Sequence, residues 1–127
     1  MKKIISTSAA PTPLNNLYSQ GVLAQGKFLF TAGQLGVDPK SGELADGLRA
    51  QTQQALENIR AVLKAAGTDI SYVVKVTVLL DNLGDFAAMN EVYATFFPES
   101  PPARTAFEAA RLPIGALVEI EAIAIVE

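Results

Sequence analysis

Apolar and polar positions change period several times along the chain, and each change marks an element. From Leu48, apolar or small residues fall at Leu48, Thr52, Ala55, Leu56, Ile59, Val62, Leu63 and Ala66. That spacing predicts an amphipathic helix, with Gly67 as its C-terminal stop. Residues 73–80 switch to a β-branched run with Val74, Val76, Val78 and Leu80 on one face, which predicts a buried strand. A second helix follows, capped by Asp85, with Phe86, Met89, Asn90, Tyr93 and Phe97 on its inner face and Pro98 ending it. Residues 103–109 and 117–126 read as two more strands, separated by a turn at 111–115.

The N-terminal third is more broken. Residues 3–6 form a short strand, a proline-punctuated loop runs through residues 9–16, and residues 22–31 read as a hairpin turning at Gly26-Lys27. The next stretch, 33–43, is rich in turn residues and resembles a loop built for backbone contacts. The predicted order is β-β-β-α-β-α-β-β, an α+β domain spanning residues 1–127 with one mixed sheet and both helices on one face. The sheet's other face is then bare, although its strands are apolar on both sides, so it is expected to bury itself against further copies of the chain. A closed homo-oligomer follows, and a monomer in light scattering at micromolar concentration would contradict it.

Composition sharpens this picture. Charged residues make up only 18% of the chain, against about 25% in ordinary soluble domains, which fits a surface partly covered by another subunit. The net charge of −3 offers no basic face for phosphate neutralisation, so nucleic acid is not expected as the main partner. The N-terminal Met1-Lys2-Lys3-Ile4-Ile5-Ser6 lacks the apolar run of a secretion signal or a membrane span, and a cytoplasmic protein is the default expectation.

The chain has no His, Cys or Trp. This excludes Ser-His and Cys-His couples, thiolate nucleophiles and His/Cys metal cages, and leaves acid–base work to Glu, Asp, Lys or Tyr. No phosphate loop or carboxylate cluster of metal-binding spacing is present, so neither a nucleotide nor a metal is expected. Elimination brings forward two charges set among strand-forming residues. Arg104 follows the stiff Pro101-Pro102-Ala103 approach. An arginine there is ordinarily paired or solvated, but its fork also matches a carboxylate. Glu119 and Glu121 share one strand face; both are solvated if they lie at a wet end, and one is a candidate acid–base group if an oligomer encloses it. Asn90 satisfies nearby backbone or lines a pocket, Tyr18 is a packed aromatic or a pocket wall, and Gly33 is a turn glycine or a point of close ligand approach.

Taken together, Tyr18-Ser19-Gln20-Gly21, residues 30–39 with Ser41-Gly42-Glu43, residues 54–58, 74–78 and 86–93, and the C-terminal run from Pro101 resemble the reactive-intermediate deaminase (Rid/YjgF) family over nearly the whole chain. The resemblance implies a chorismate-mutase-like fold, a homotrimer with active sites between subunits, and no cofactor. It implies hydrolysis of 2-imino acids, or their enamine tautomers, to 2-keto acids and ammonia. Carried over residue by residue, Arg104 grips the substrate carboxylate and Glu119, preferred over Glu121 on this basis, handles the attacking water. Tyr18 closes the pocket, Asn90 lines it, and the Gly33 backbone contacts the substrate. Ala106 stands where many relatives carry cysteine; the resemblance gives its backbone carbonyl a part in orienting the water, which alanine retains. Ala32 stands where serine is frequent. Two other readings remain: a regulatory module that binds a 2-keto acid or similar carboxylate without chemistry, and RNA cleavage or translation inhibition, which the acidic charge disfavours.

Overall fold

The computed structural model describes residues 1–127. Its elements are β1 (Lys2–Ile5), β2 (Gly21–Ala24), β3 (Lys27–Phe30), β4 (Gln34–Leu35), α1 (Leu48–Ala65), β5 (Val73–Leu80), α2 (Phe86–Phe96), β6 (Ala103–Glu108) and β7 (Val118–Val126). The periodic segments form the elements their pattern predicts. Helix α1 buries Leu48, Thr52, Ala55, Leu56, Ile59 and Leu63, and β5 runs over the predicted residues with Val76, Val78 and Leu80 inside. No helix is long and apolar enough to cross a membrane.

The main sheet runs β3-β7-β5-β6, with β4 also on β7. Strands β5 and β6 are parallel, and β7 is antiparallel to its neighbours. Both helices lie on one face. The core joins α1 residues Leu56, Ile59 and Leu63 and α2 residues Met89, Tyr93 and Phe96 to Val76 and Val78 of β5 and to Val118, Ile120, Ala122 and Ala124 of β7. On the opposite face, Phe28, Phe30 and Phe107 remain 45%, 69% and 46% exposed. Phe28 and Phe30, with ring centroids 6.5 Å apart at one edge of the sheet, form an exposed apolar pair of the kind that marks an interaction surface, while Phe107 lies on the edge strand at the other side.

Three expectations are corrected. The hairpin over 22–31 does not form: β2 pairs with β1 in a separate two-stranded ladder, and β3 pairs with β7, so there are two sheets. Gly26 has φ +135°, the mirror-extended region open only to glycine. A two-residue primed turn needs its first position near about +60°. The chain therefore turns a corner at Gly26 instead of reversing. The loop after β3 also contains a strand, β4, which pairs Gln34 with Ile120 and Leu35 with Glu119. Finally, Asp85 makes no side-chain cap to α2. Asn82 does the capping one turn earlier, accepting from Gly84 N–H at 2.8 Å at the start of a short 3-10 turn that runs into the helix.

Candidate active site

Arg104 sits on the edge strand β6, and its environment is built by three segments. Parallel register sets Arg104 beside Val76, so its side chain shares the helix-facing side of the sheet. There α2 supplies Asn90, whose Oδ1 accepts a hydrogen bond from Arg104 Nη1 at 2.7 Å. The Met89 thioether lies 3.9 Å from the same nitrogen. Three aromatic rings surround the guanidinium, with centroids 4.8 Å (Tyr93), 5.5 Å (Phe86) and 5.6 Å (Tyr18) from its Cζ. Burial pulls the guanidinium below its ordinary pKa, and the phenols of Tyr93 and Tyr18 draw it back up. It remains a cation, as guanidinium does in proteins.

Tyr18 reaches this place because the residues after it are tied down. Ser19 N–H donates to Pro102 O at 3.1 Å, and Ser19 Oγ donates to Pro101 O at 2.5 Å. Gln20 gathers the N-terminal loop: its Nε2 donates to Thr7 O, Ala10 O and Pro11 O, and its Oε1 accepts from Thr7 N–H. Nothing in the sequence pattern marks Met89, Tyr93, Ser19 or Gln20 as parts of a site; Met89 and Tyr93 read only as core, which they also are.

Glu119 occupies the other half of the picture. It pairs with Leu79 on β5, and Leu79 pairs with Phe107 on β6. That row faces away from the helices, on the side with the exposed rings. The passage from Phe30 to Gln34 carries one residue more than the Ile123–Ile120 stretch it faces, a bulge at Ala32-Gly33. Thr31 pins it, accepting from Ala122 N–H at 3.0 Å through Oγ1 and donating its own N–H to Ala122 O at 2.9 Å. The bulge brings Gly33 against the Glu119 side chain: a Cβ at residue 33 would meet Oε2 and lie 2.9 Å from Cδ. Glu121 faces the same way but is exposed, whereas Glu119 is half-buried. Ala106 lies two residues beyond Arg104 on the helix-facing side and packs on the core.

The predicted residues thus fall into two groups. Arg104, Tyr18 and Asn90 come together with Tyr93 and Phe86; Glu119 comes together with Gly33. The two groups lie on opposite faces of the sheet, so one chain does not bring Arg104 and Glu119 to a common small molecule. Neither is spent on an ion pair, since the three present are Met1 ammonium–Glu127, Arg49–Glu91 and Arg60–Glu57. One half can hold an anion; the other can hold a water and exchange its proton.

Gly33 gives a test that separates position from folding. Its backbone φ is not in the left-handed region, and the atoms an added methyl meets belong to the mobile end of Glu119. Gly33→Ala is therefore expected to melt close to the parent while the carboxylate swings away. With Glu119 as the proposed acid–base group, activity is expected to fall about 10²-fold, the usual cost of a misplaced reacting group. Thermal melting and steady-state kinetics on the same preparation check both halves of that expectation.

Comparison with known proteins gives a consistent account. A RutC family protein of Pyrococcus horikoshii is 55% identical over 98% of both chains. The 2-iminobutanoate/2-iminopropanoate deaminase of Rattus norvegicus is 47% identical over 98% of this chain and 90% of its own. Among solved structures, E. coli TdcF with bound serine superposes with a TM-score of 0.76 at 41% identity, covering 98% of this chain and 99% of that one. The family model for endoribonuclease L-PSP matches residues 7–126. The chain therefore belongs to the endoribonuclease L-PSP family, the group also known as Rid or YjgF.

Proposed function

We propose that the protein is a hydrolytic deaminase that converts 2-imino acids and their enamine tautomers, 2-iminobutanoate and 2-iminopropanoate among them, to 2-keto acids and ammonia. The observation that carries this reading is the Arg104 guanidinium: half-buried, held by Asn90 and aromatic faces, and joined to no carboxylate of its own chain. Such a group is built to receive an anion from outside, and its fork fits a carboxylate through two parallel hydrogen bonds. Relatives bearing the deaminase name support the imine, and serine bound to TdcF supports an α-carboxylate ligand in this fold.

Glu119 supplies the chemistry. Its carboxylate accepts a proton from water as the water oxygen attacks the C=N carbon of the protonated imine, giving a neutral carbinolamine. The Glu119 carboxyl then returns that proton to the amine nitrogen, and as the C–N bond breaks the hydroxyl proton passes to the Glu119 carboxylate, the carbonyl forms and ammonia leaves, taking up the proton from Glu119 as ammonium. Tyr18 walls the pocket beside Arg104, and Gly33 leaves room for the working pose of Glu119. Because Arg104 and Glu119 face opposite ways, the site is complete only where the Arg104 side of one copy meets the Glu119 face of the next. A closed homotrimer satisfies that geometry three times and covers the exposed rings.

Two experiments test this. Threonine dehydratase generates 2-iminobutanoate in situ, and the protein is expected to accelerate 2-oxobutanoate formation; no acceleration over spontaneous hydrolysis would refute the assignment. Phe30→Glu places a charge where a ring is 69% exposed in the single chain. It is expected to shift sedimentation from trimer to monomer and to abolish turnover in parallel, and an active monomer would contradict the shared site.

A further inference from the structure

Arg104 is a half-buried charge that only neutral groups compensate, three of them aromatic rings. Of the three rings around it, Tyr93 is nearest, at 4.8 Å from the guanidinium carbon. Tyr93 also differs from Tyr18 and Phe86 in having no exposed surface. Its hydroxyl is buried without a hydrogen-bond partner, an arrangement that costs free energy and calls for an explanation. A fully enclosed side chain does not touch a ligand, so the explanation lies in what the ring itself contacts. Phe97 packs against it at a centroid distance of 4.7 Å, the two rings tilted by 34°, a contact that restricts its movement.

We infer that Tyr93 is a positioning residue: its buried ring, packed against Phe97, is a π platform that holds Arg104 in one pose while leaving its charge free for an incoming carboxylate. A carboxylate in the same place would neutralise the guanidinium and compete with the ligand. An aliphatic side chain would offer nothing in return for lost water. An aromatic face attracts the cation without saturating its N–H donors, of which Asn90 takes only one. The inference rests on the reading of Arg104 as the carboxylate anchor, and it adds that the ring, not the phenol hydroxyl, carries the effect.

The test compares the full-length protein with Tyr93→Leu, Tyr93→Phe and Phe86→Leu. Two readouts are followed: the split between KM and kcat for imine hydrolysis, and the Arg104 Nε–H resonance, identified by its loss in Arg104→Lys. Tyr93→Leu is expected to raise KM roughly 10- to 30-fold with little change in kcat, the effect of removing one face from a desolvated cation. Tyr93→Phe should rescue KM to within about threefold and melt no lower than the parent, because it deletes an unpartnered hydroxyl. Phe86→Leu, at a half-exposed position, should give a smaller rise in KM. Ring-current shielding of the Arg104 resonance should persist in Tyr93→Phe and be lost in Tyr93→Leu.

Parent KM in Tyr93→Leu and Phe86→Leu would overturn the inference, as would Tyr93→Phe being as impaired as Tyr93→Leu. If Tyr93→Leu does not fold, Tyr93→Phe and Phe86→Leu decide the matter in the same way. Should the parent fail to hydrolyse imines, the functional reading falls by itself. The resonance then still judges the platform, and an unshifted signal in Tyr93→Leu refutes it.

Discussion

Arg104→Ala is expected to cost about 3–5 kcal/mol in transition-state binding, or roughly 10²- to 10⁴-fold in kcat/KM, and to abolish binding of 2-oxobutanoate. The size follows from geometry. A bidentate guanidinium–carboxylate contact contributes two charge-assisted hydrogen bonds, each about 1.5–3 kcal/mol, in a site where aromatic rings exclude competing water. Alanine also leaves Asn90, buried beside it, without its partner. Arg104→Lys is the cleaner comparison: it keeps the charge but loses the fork, and should recover only part of the deficit. Kinetics with calorimetric titration of 2-oxobutanoate measure both variants, and parent-like affinity in Arg104→Ala would remove the anchor from the account.

Glu119→Gln is expected to show the opposite pattern, a fall in kcat of about 10²- to 10⁴-fold with KM within a few-fold of the parent. Glutamine keeps the shape that fits against Gly33 and removes the carboxylate proposed to take the proton from water. Because Glu119 makes no ion pair in its own chain, the substitution strands no buried partner, and the protein should fold and assemble as before. This variant also separates an enzyme from a carboxylate-binding module. The module has no turnover to lose, whereas the enzyme keeps ligand affinity while its turnover collapses.

Much of the architecture could be read from periodicity. Leu48 to Leu63 carries an apolar stripe that only a helix can bury, and the alternation from Val74 to Leu80 suits only a strand covered on one side. The bare sheet face also followed from residue pattern, whereas the exposed Phe28, Phe30 and Phe107 that stand on it were not singled out by that pattern. The hairpin failed because local turn residues compete with distant partners. β1 takes β2 and β7 takes β3, and neither pairing is encoded near Gly26. Asp85 looked like a cap because it is the right residue type before a helix, but Asn82 starts a tighter turn first.

For the site, the residue types spoke and the geometry did not. Absence of histidine and cysteine brought forward Arg104 and the pair Glu119 and Glu121, and the family resemblance chose Glu119, but which sheet face each occupies depends on the register of β5 with β6 and with β7. A shift of one residue in either pairing would move one of them to the other face. The tyrosine beside Arg104 was equally hidden, because Tyr93 satisfies the helical core pattern whether or not a cation lies over it.

The central claim is that one copy supplies Arg104 and the next supplies Glu119. Mixing Arg104→Ala and Glu119→Gln subunits, each inactive alone, under conditions where labelled subunits are seen to exchange, tests it most directly. In a closed ring of randomly mixed subunits, about one site in four combines an intact arginine with an intact glutamate from its neighbour. The mixture is therefore predicted to recover about a quarter of the parent activity, and exchange without any recovery would show that the two residues serve the reaction from the same chain or not at all.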